Sequence, residues 1–103
     1  MRRPEILQQI AAAVRKAAPG AQAIVYGSEA RGDARPDSDI DLLILLDGNQ
    51  KPTPEQELSL RRPLTELEAQ TGVAINALVV LRRLWEQITS PFTINVNREG
   101  VLL

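Results

Sequence analysis

The chain has 103 residues, 44 % of them hydrophobic and 24 % charged, with a formal net charge of −1. These values suit one globular domain and give no basic field that would draw the surface to DNA, so no direct DNA binding is expected. Histidine and cysteine are absent, which excludes disulfides, thiolate or imidazole metal sites, Ser-His-Asp nucleophiles and histidine proton shuttles; any metal must be held by oxygen, which selects magnesium or manganese.

In chain order, residues 3–17 are predicted to form an amphipathic helix. Pro4 suits the first helical position, Ile6, Leu7, Ile10, Val14 and Ala17 recur at helical spacing, and Pro19-Gly20 ends it. Residues 21–26 read as a short buried strand. Gly27-Ser28 turns the chain into one helical turn, Glu29-Ala30-Arg31, which Gly32 closes, and residues 33–38 are a polar loop. Residues 39–46 are the clearest strand: Ile40, Leu42, Ile44 and Leu46 point one way, and Asp39, Asp41, Leu43 and Leu45 the other.

Asp47-Gly48-Asn49 marks a turn. Thr53-Pro54-Glu55-Gln56 has the form of a capping box and starts a helix to about Gln70, with Leu58, Leu60, Leu64 and Leu67 as its buried side, a kink or break at Pro63 and a stop at Gly72. Residues 73–80 read as a third strand in which Asn76 is the polar position, and residues 84–88 as a short helix. The tail, residues 92–103, alternates enough to be an edge strand or an arm, with a turn at Glu99-Gly100. The expected fold is α/β or α+β, a small mixed sheet of three or more strands with helices packed on one face, as a single domain over residues 1–103. Tyr26, Trp85 and Phe92 are the aromatic residues, too few for a surface that stacks single-stranded nucleic acid. The longest apolar run, Leu42 to Leu46, is far short of a membrane span, so the expected location is cytoplasmic.

The chemistry concentrates in residues 26–46, YGSEARGDARPDSDIDLLILL. Gly27 lets the backbone turn sharply and a ligand approach closely, and the start of the following helix offers free N–H groups to an anion. Ser28 can add a donor, or can simply cap the helix. Asp39 and Asp41, two apart on a strand, place their carboxylates on one face, about 6.5–7 Å apart at Cα, where they repel one another unless a cation lies between them. Together these residues form a site for a metal-bound polyphosphate; separately, each has an ordinary structural reading.

This stretch resembles the signature of the minimal nucleotidyltransferases, the small branch of the DNA polymerase beta-like nucleotidyltransferase superfamily. The matching residues are Gly27, Ser28, Ala30, Arg31, Gly32, Ser38, Asp39 and Asp41, within about a fifth of the chain. The resemblance implies the nucleotidyltransferase fold and transfer of a nucleoside monophosphate, AMP from ATP, to an acceptor. Asp39 and Asp41 would hold two magnesium (or manganese) ions, Gly27 and Ser28 would bind the β- and γ-phosphates, and Arg31 would reach a phosphate or lay its stem over the core. The family's third carboxylate belongs on the next strand, where this sequence offers Asn76, a neutral and weaker ligand that cannot act as a general base; the alternative for Asn76 is a plain strand-edge residue. Glu29, Glu66, Glu68 and Glu86 are candidates to replace it from elsewhere, and no spacing selects among them. The family also implies a partner of HEPN type, as in toxin–antitoxin pairs, with Val101-Leu102-Leu103 available for that interface, for a homodimer or for packing on the same domain. With Asn76 in place of an acid, a nucleotide-binding or partner-blocking module without catalysis is the alternative function.

Overall fold

The pattern of apolar positions sets the order of elements in the computed structural model, which describes residues 3–103. They are α1 (Pro4–Ala17), β1 (Gln22–Tyr26), α2 (Gly27–Arg31), β2 (Ile40–Leu46), α3 (Pro54–Thr71), β3 (Ile75–Leu81), α4 (Arg82–Gln87), α5 (Pro91–Glu99) and β4 (Val101–Leu102). The sheet order is β3-β2-β1-β4. β1 runs antiparallel to β2 and to β4, whereas β2 and β3 are parallel and joined through α3, the long crossover that parallel neighbours require.

β2 has a strand on each side and helices on both faces, which is why it is apolar from Leu42 to Leu46. Ile40, Leu42 and Ile44 point to the main core, with Val25 and Ile75 beside them and Leu7, Ile10 and Val14 of α1 and Leu60, Leu64 and Leu67 of α3 above. Thr53 and Gln56 form the expected capping box at the start of α3. That helix runs unbroken through Pro63, which removes one internal hydrogen bond without ending it, because apolar residues on both sides stay docked on the sheet. Leu58, expected in the buried side, is 54 % exposed. At 100° per residue it lies about 200° from Leu60, on the opposite side of the helix from the stripe that Leu60, Leu64 and Leu67 form.

The two long helices share one face. The other face carries Leu43 and Leu45, covered by Trp85 of α4 and Val96 of α5. Here the tail departs from expectation: residues 91–99 are helical, not extended. Ser90 Oγ caps the helix by accepting from the Thr93 amide, Thr93 Oγ1 accepts from the Ser90 amide in return, and Pro91 fills the first turn. Thr93 and Val96, three apart, are its buried positions, so the helical period wins over the apparent alternation of Ile94 and Val96. The edge strand does exist but is confined to Val101–Leu102 beside β1, with Leu103 N–H bonded to the Ala23 carbonyl. Val101 and Leu103 pack on the main core, while Leu102 is exposed. At the opposite edge, Glu68 accepts from Ile75 N–H at 2.8 Å and Arg61 donates to the Ala77 carbonyl at 2.9 Å. These two α3 side chains occupy backbone groups that would otherwise invite another strand. No helix among the described residues is long and apolar enough to cross a membrane.

Gly100 is the joint between α5 and β4. A Cβ there would lie 2.6 Å from the Val96 carbonyl and 2.7 Å from Ile24 Cγ2. Its φ of −63° is open to any residue, so the constraint is space rather than backbone strain. Gly100→Ala is expected to lower unfolding free energy by about 1–3 kcal/mol through overpacking, measured by urea titration.

Candidate active site

Register places the site. Ile40 N–H bonds to the Ala74 carbonyl at 2.8 Å, and from there β2 and β3 run with Asp41 beside Asn76. The antiparallel pairing on the other side sets Tyr26 opposite Asp41. Tyr26, Asp41 and Asn76 thus form a row across three strands, on the face that also carries Leu43 and Leu45. Asp39 lies one residue before the strand and is exposed; Asp41 is half-buried.

The two carboxylates converge. Asn76 Nδ2 donates to Asp39 Oδ2 at 3.1 Å and to Asp41 Oδ1 at 3.4 Å. A single nitrogen reaching both acids marks a point that an oxygen-seeking cation could occupy. A half-turn of the same amide would offer that cation its carbonyl oxygen. The donor set is two carboxylates and one neutral oxygen, which fits magnesium or manganese chemically but lacks a third anion. Among the described residues, no group of three or more His, Cys, Asp or Glu side chains is gathered where it could hold a metal. Glu29 is fully buried and bound to Arg3, and Glu68 holds the Ile75 amide, so neither supplies the missing acid; Glu66 and Glu86 are exposed elsewhere.

Gly27 abuts this pair. Its φ is +72°, and a Cβ on it would come within 2.7 Å of Asp41 Oδ2. Two independent constraints, backbone handedness and the Asp41 carboxylate, therefore demand glycine. α2 begins at Gly27 with no capping side chain, because its N-cap is Tyr26. Ser28 lies inside the first turn and is not the cap; its carbonyl accepts from Asp33 N–H at 3.1 Å. Gly32, in the left-handed region, ends the helix as expected.

Arg31 does not cover the core. Its side chain is half-exposed and lies 3.3 Å from both Asp33 Oδ2 and Glu99 Oε2, tying α2 to α5. The hydrogen bond to Asp33, with that residue's charge and then Glu99, holds its guanidinium above the ordinary value. A phosphate at Arg31 would compete with two carboxylates already in place. Tyr26 is pushed above its ordinary phenol range, first by burial and then by the charge of Asp41. Its ring meets Phe92 edge-on at 5.7 Å, and Phe92 meets Trp85 at 6.0 Å. All three aromatics of the chain thus gather beside the acid row, a cluster that the sequence does not announce because they come from separate elements. A groove lined by Tyr26, Asn76, Leu78 and Arg61 opens along the row, whereas a larger cavity of about 730 Å³ lies at the far end of the sheet, around Leu46–Thr53, and contains none of these residues.

The profile of the family described as nucleotidyltransferase domain matches residues 7–100. Among solved structures, a chain provisionally named a minimal nucleotidyltransferase is 26 % identical, with all of this chain and 97 % of that one covered and a TM-score of 0.66. A protein of Sulfolobus solfataricus, provisionally named a nucleotidyltransferase, is 18 % identical over 95 % of this chain and 76 % of its own, with a TM-score of 0.59, which speaks for the fold. No curated protein sequence matches the chain.

Gly27→Ala is expected to displace the Asp41 carboxylate and to lower stability by about 1–2 kcal/mol, the cost of a left-handed non-glycine residue. Urea unfolding measures the stability loss, and manganese titration followed by calorimetry should show weaker binding than in the unaltered protein.

Proposed function

The chain belongs to the nucleotidyltransferase domain family, and on that premise we propose that it transfers AMP from ATP to an acceptor, using magnesium or manganese at Asp39 and Asp41. The observation that carries this reading is the convergence of the two carboxylates on one point against Gly27. Bound there, the divalent cations would neutralise the triphosphate and its leaving group and lower the pKa of the acceptor hydroxyl. Asp39 and Asp41 would hold the ions; Gly27 and Ser28 would bind the β- and γ-phosphates with backbone N–H groups and a hydroxyl, and Arg31 would reach a phosphate on leaving Asp33 and Glu99. The acceptor oxygen bonds to the α-phosphorus as the bond to pyrophosphate breaks, and the hydroxyl proton leaves to solvent, since Asn76 cannot take it.

The resemblance to minimal nucleotidyltransferases supports a protein acceptor of HEPN type, with this chain in the antitoxin role; a homodimer is the other assembly to test. Asn76 favours a second reading, in which the chain binds nucleotide or blocks its partner without catalysis. Its N–H groups satisfy the two acids where the family pattern has a third carboxylate.

Incubation with labelled ATP, magnesium and a candidate HEPN partner separates the two. Label on the partner is expected, and it should fall by about 10²–10³-fold or more in Asp39→Ala/Asp41→Ala. Transfer that persists in the double variant would overturn the proposed site. No transfer by the unaltered protein, together with partner inhibition that the double variant retains, would establish the blocking module. Asn76→Asp is expected to tighten manganese binding about tenfold or more, because it replaces a neutral ligand by an anion; unchanged affinity by calorimetry would remove Asn76 from the third-ligand position.

A further inference from the structure

A fully buried glutamate and a largely buried arginine, both outside the acid row, join its two halves. From Gly27 the chain leaves the sheet through α2, passes through a loop over residues 32–39 and returns as β2. Glu29 lies two residues after Gly27, and Ser38 is the residue before Asp39. Arg3, just before α1, reaches both. Its Nε donates to Glu29 Oε1 at 2.6 Å, its Nη1 to the Ser38 carbonyl at 2.7 Å, and its backbone N–H to Glu29 Oε2 at 3.0 Å.

The location of this pair argues against a purely stabilising role. The side chains of Arg3 and Glu29 are 12 % and 0 % exposed. An ion pair so far from water recovers little more than its desolvation cost, and an apolar pair of similar volume would stabilise the fold as well or better. Arg3 Nη2 is moreover buried without a hydrogen bond among the described residues. What an apolar pair would lack is direction: a planar guanidinium holds its donors at fixed angles, so Glu29 on one side fixes where the Ser38 carbonyl lies on the other. The loop is coherent enough to transmit that placement. Ser38 N–H bonds to the Arg35 carbonyl, Arg35 N–H to Ser38 Oγ and Asp33 N–H to the Ser28 carbonyl, while Ala34 is buried.

We propose that Arg3 is a positioning residue: anchored on Glu29, its guanidinium holds the Ser38 carbonyl so that Asp39 is presented beside Asp41 and Gly27. The consequence for nucleotide binding rests on the function proposed above; the consequence for the loop does not.

Arg3→Lys and Arg3→Met test both. Lysine keeps the positive charge beside Glu29 but has one nitrogen and no rigid fork. In Arg3→Lys, amide hydrogen exchange at Asp33 and Ser38 is expected to accelerate about tenfold or more relative to core amides of α1, α3 and β2, with little change in the urea midpoint. Binding of manganese–ATP by calorimetry is expected to weaken about 10- to 100-fold in the same variant, the range found when residues behind metal ligands are removed. Arg3→Met should show both effects more strongly; if it fails to fold, Arg3→Lys decides. Uniform loss of exchange protection through the core, or loop protection and manganese–ATP affinity both unchanged in folded Arg3→Lys, would overturn the proposal. If the unaltered protein does not bind manganese–ATP, the nucleotide reading fails, and the exchange comparison alone decides whether Arg3 positions the loop.

Discussion

Two carboxylates held side by side at the head of a buried strand are the constraint on which this structure turns. At 4 Å such a pair repels by about 1 kcal/mol in water and about 4 kcal/mol at the effective dielectric of a protein surface. The fold places several groups where they meet this repulsion. Asn76 donates to both acids, the backbone of Gly27 approaches Asp41 with no side chain in the way, and Arg3 fixes the residue before Asp39 from behind. A charge pair kept against this opposition is unusual as a purely structural feature, and it gives the family assignment its chemical content.

The sheet supplies the precision. β2 lies between a parallel and an antiparallel neighbour, and a shift of one residue in either pairing would turn its side chains to the other face. Asp41 would then point into the apolar cluster of Leu60, Leu64 and Leu67, at the cost of burying a carboxylate. Burial of Leu42 and Ile44 on one side and Leu43 and Leu45 on the other therefore fixes the position of the acid more firmly than the acid's own contacts do. The core and the site are two consequences of one register.

Much of this was legible in the sequence. The strand over residues 40–46, the turn at Gly27 and the capping box at Thr53 follow from local chemistry, so they could be read without partners. What failed depended on distant contacts or on competing periods. The tail over residues 92–97 mixes alternation with helical spacing, and only the Ser90–Thr93 cap and the surface offered by Leu43 and Leu45 decide for helix. Leu58, a leucine among leucines, lies outside the buried stripe because its angular position excludes it. Glu29 reads as a helix former, and nothing near it in sequence reveals that it is buried against Arg3, 26 residues earlier. The aromatic cluster escaped for the same reason: Tyr26, Trp85 and Phe92 meet only because β1, α4 and α5 converge on one face.

Asn76 ties stability and chemistry together in opposite senses. A third carboxylate in its place would add two more repulsive pairs to the row, and those would have to be offset by a cation or by loss of a negative charge through proton uptake. The amide instead contributes two hydrogen bonds to charged acceptors, an interaction worth about 1.5–3 kcal/mol each at best and less at the longer distance and partial exposure seen here. A cation entering between Asp39 and Asp41 consequently competes with an amide that already satisfies them, whereas three carboxylates would present it with uncompensated charge. On the proposed function, the amide that relieves the acid pair in this way would also hold a metal less firmly than a third carboxylate would.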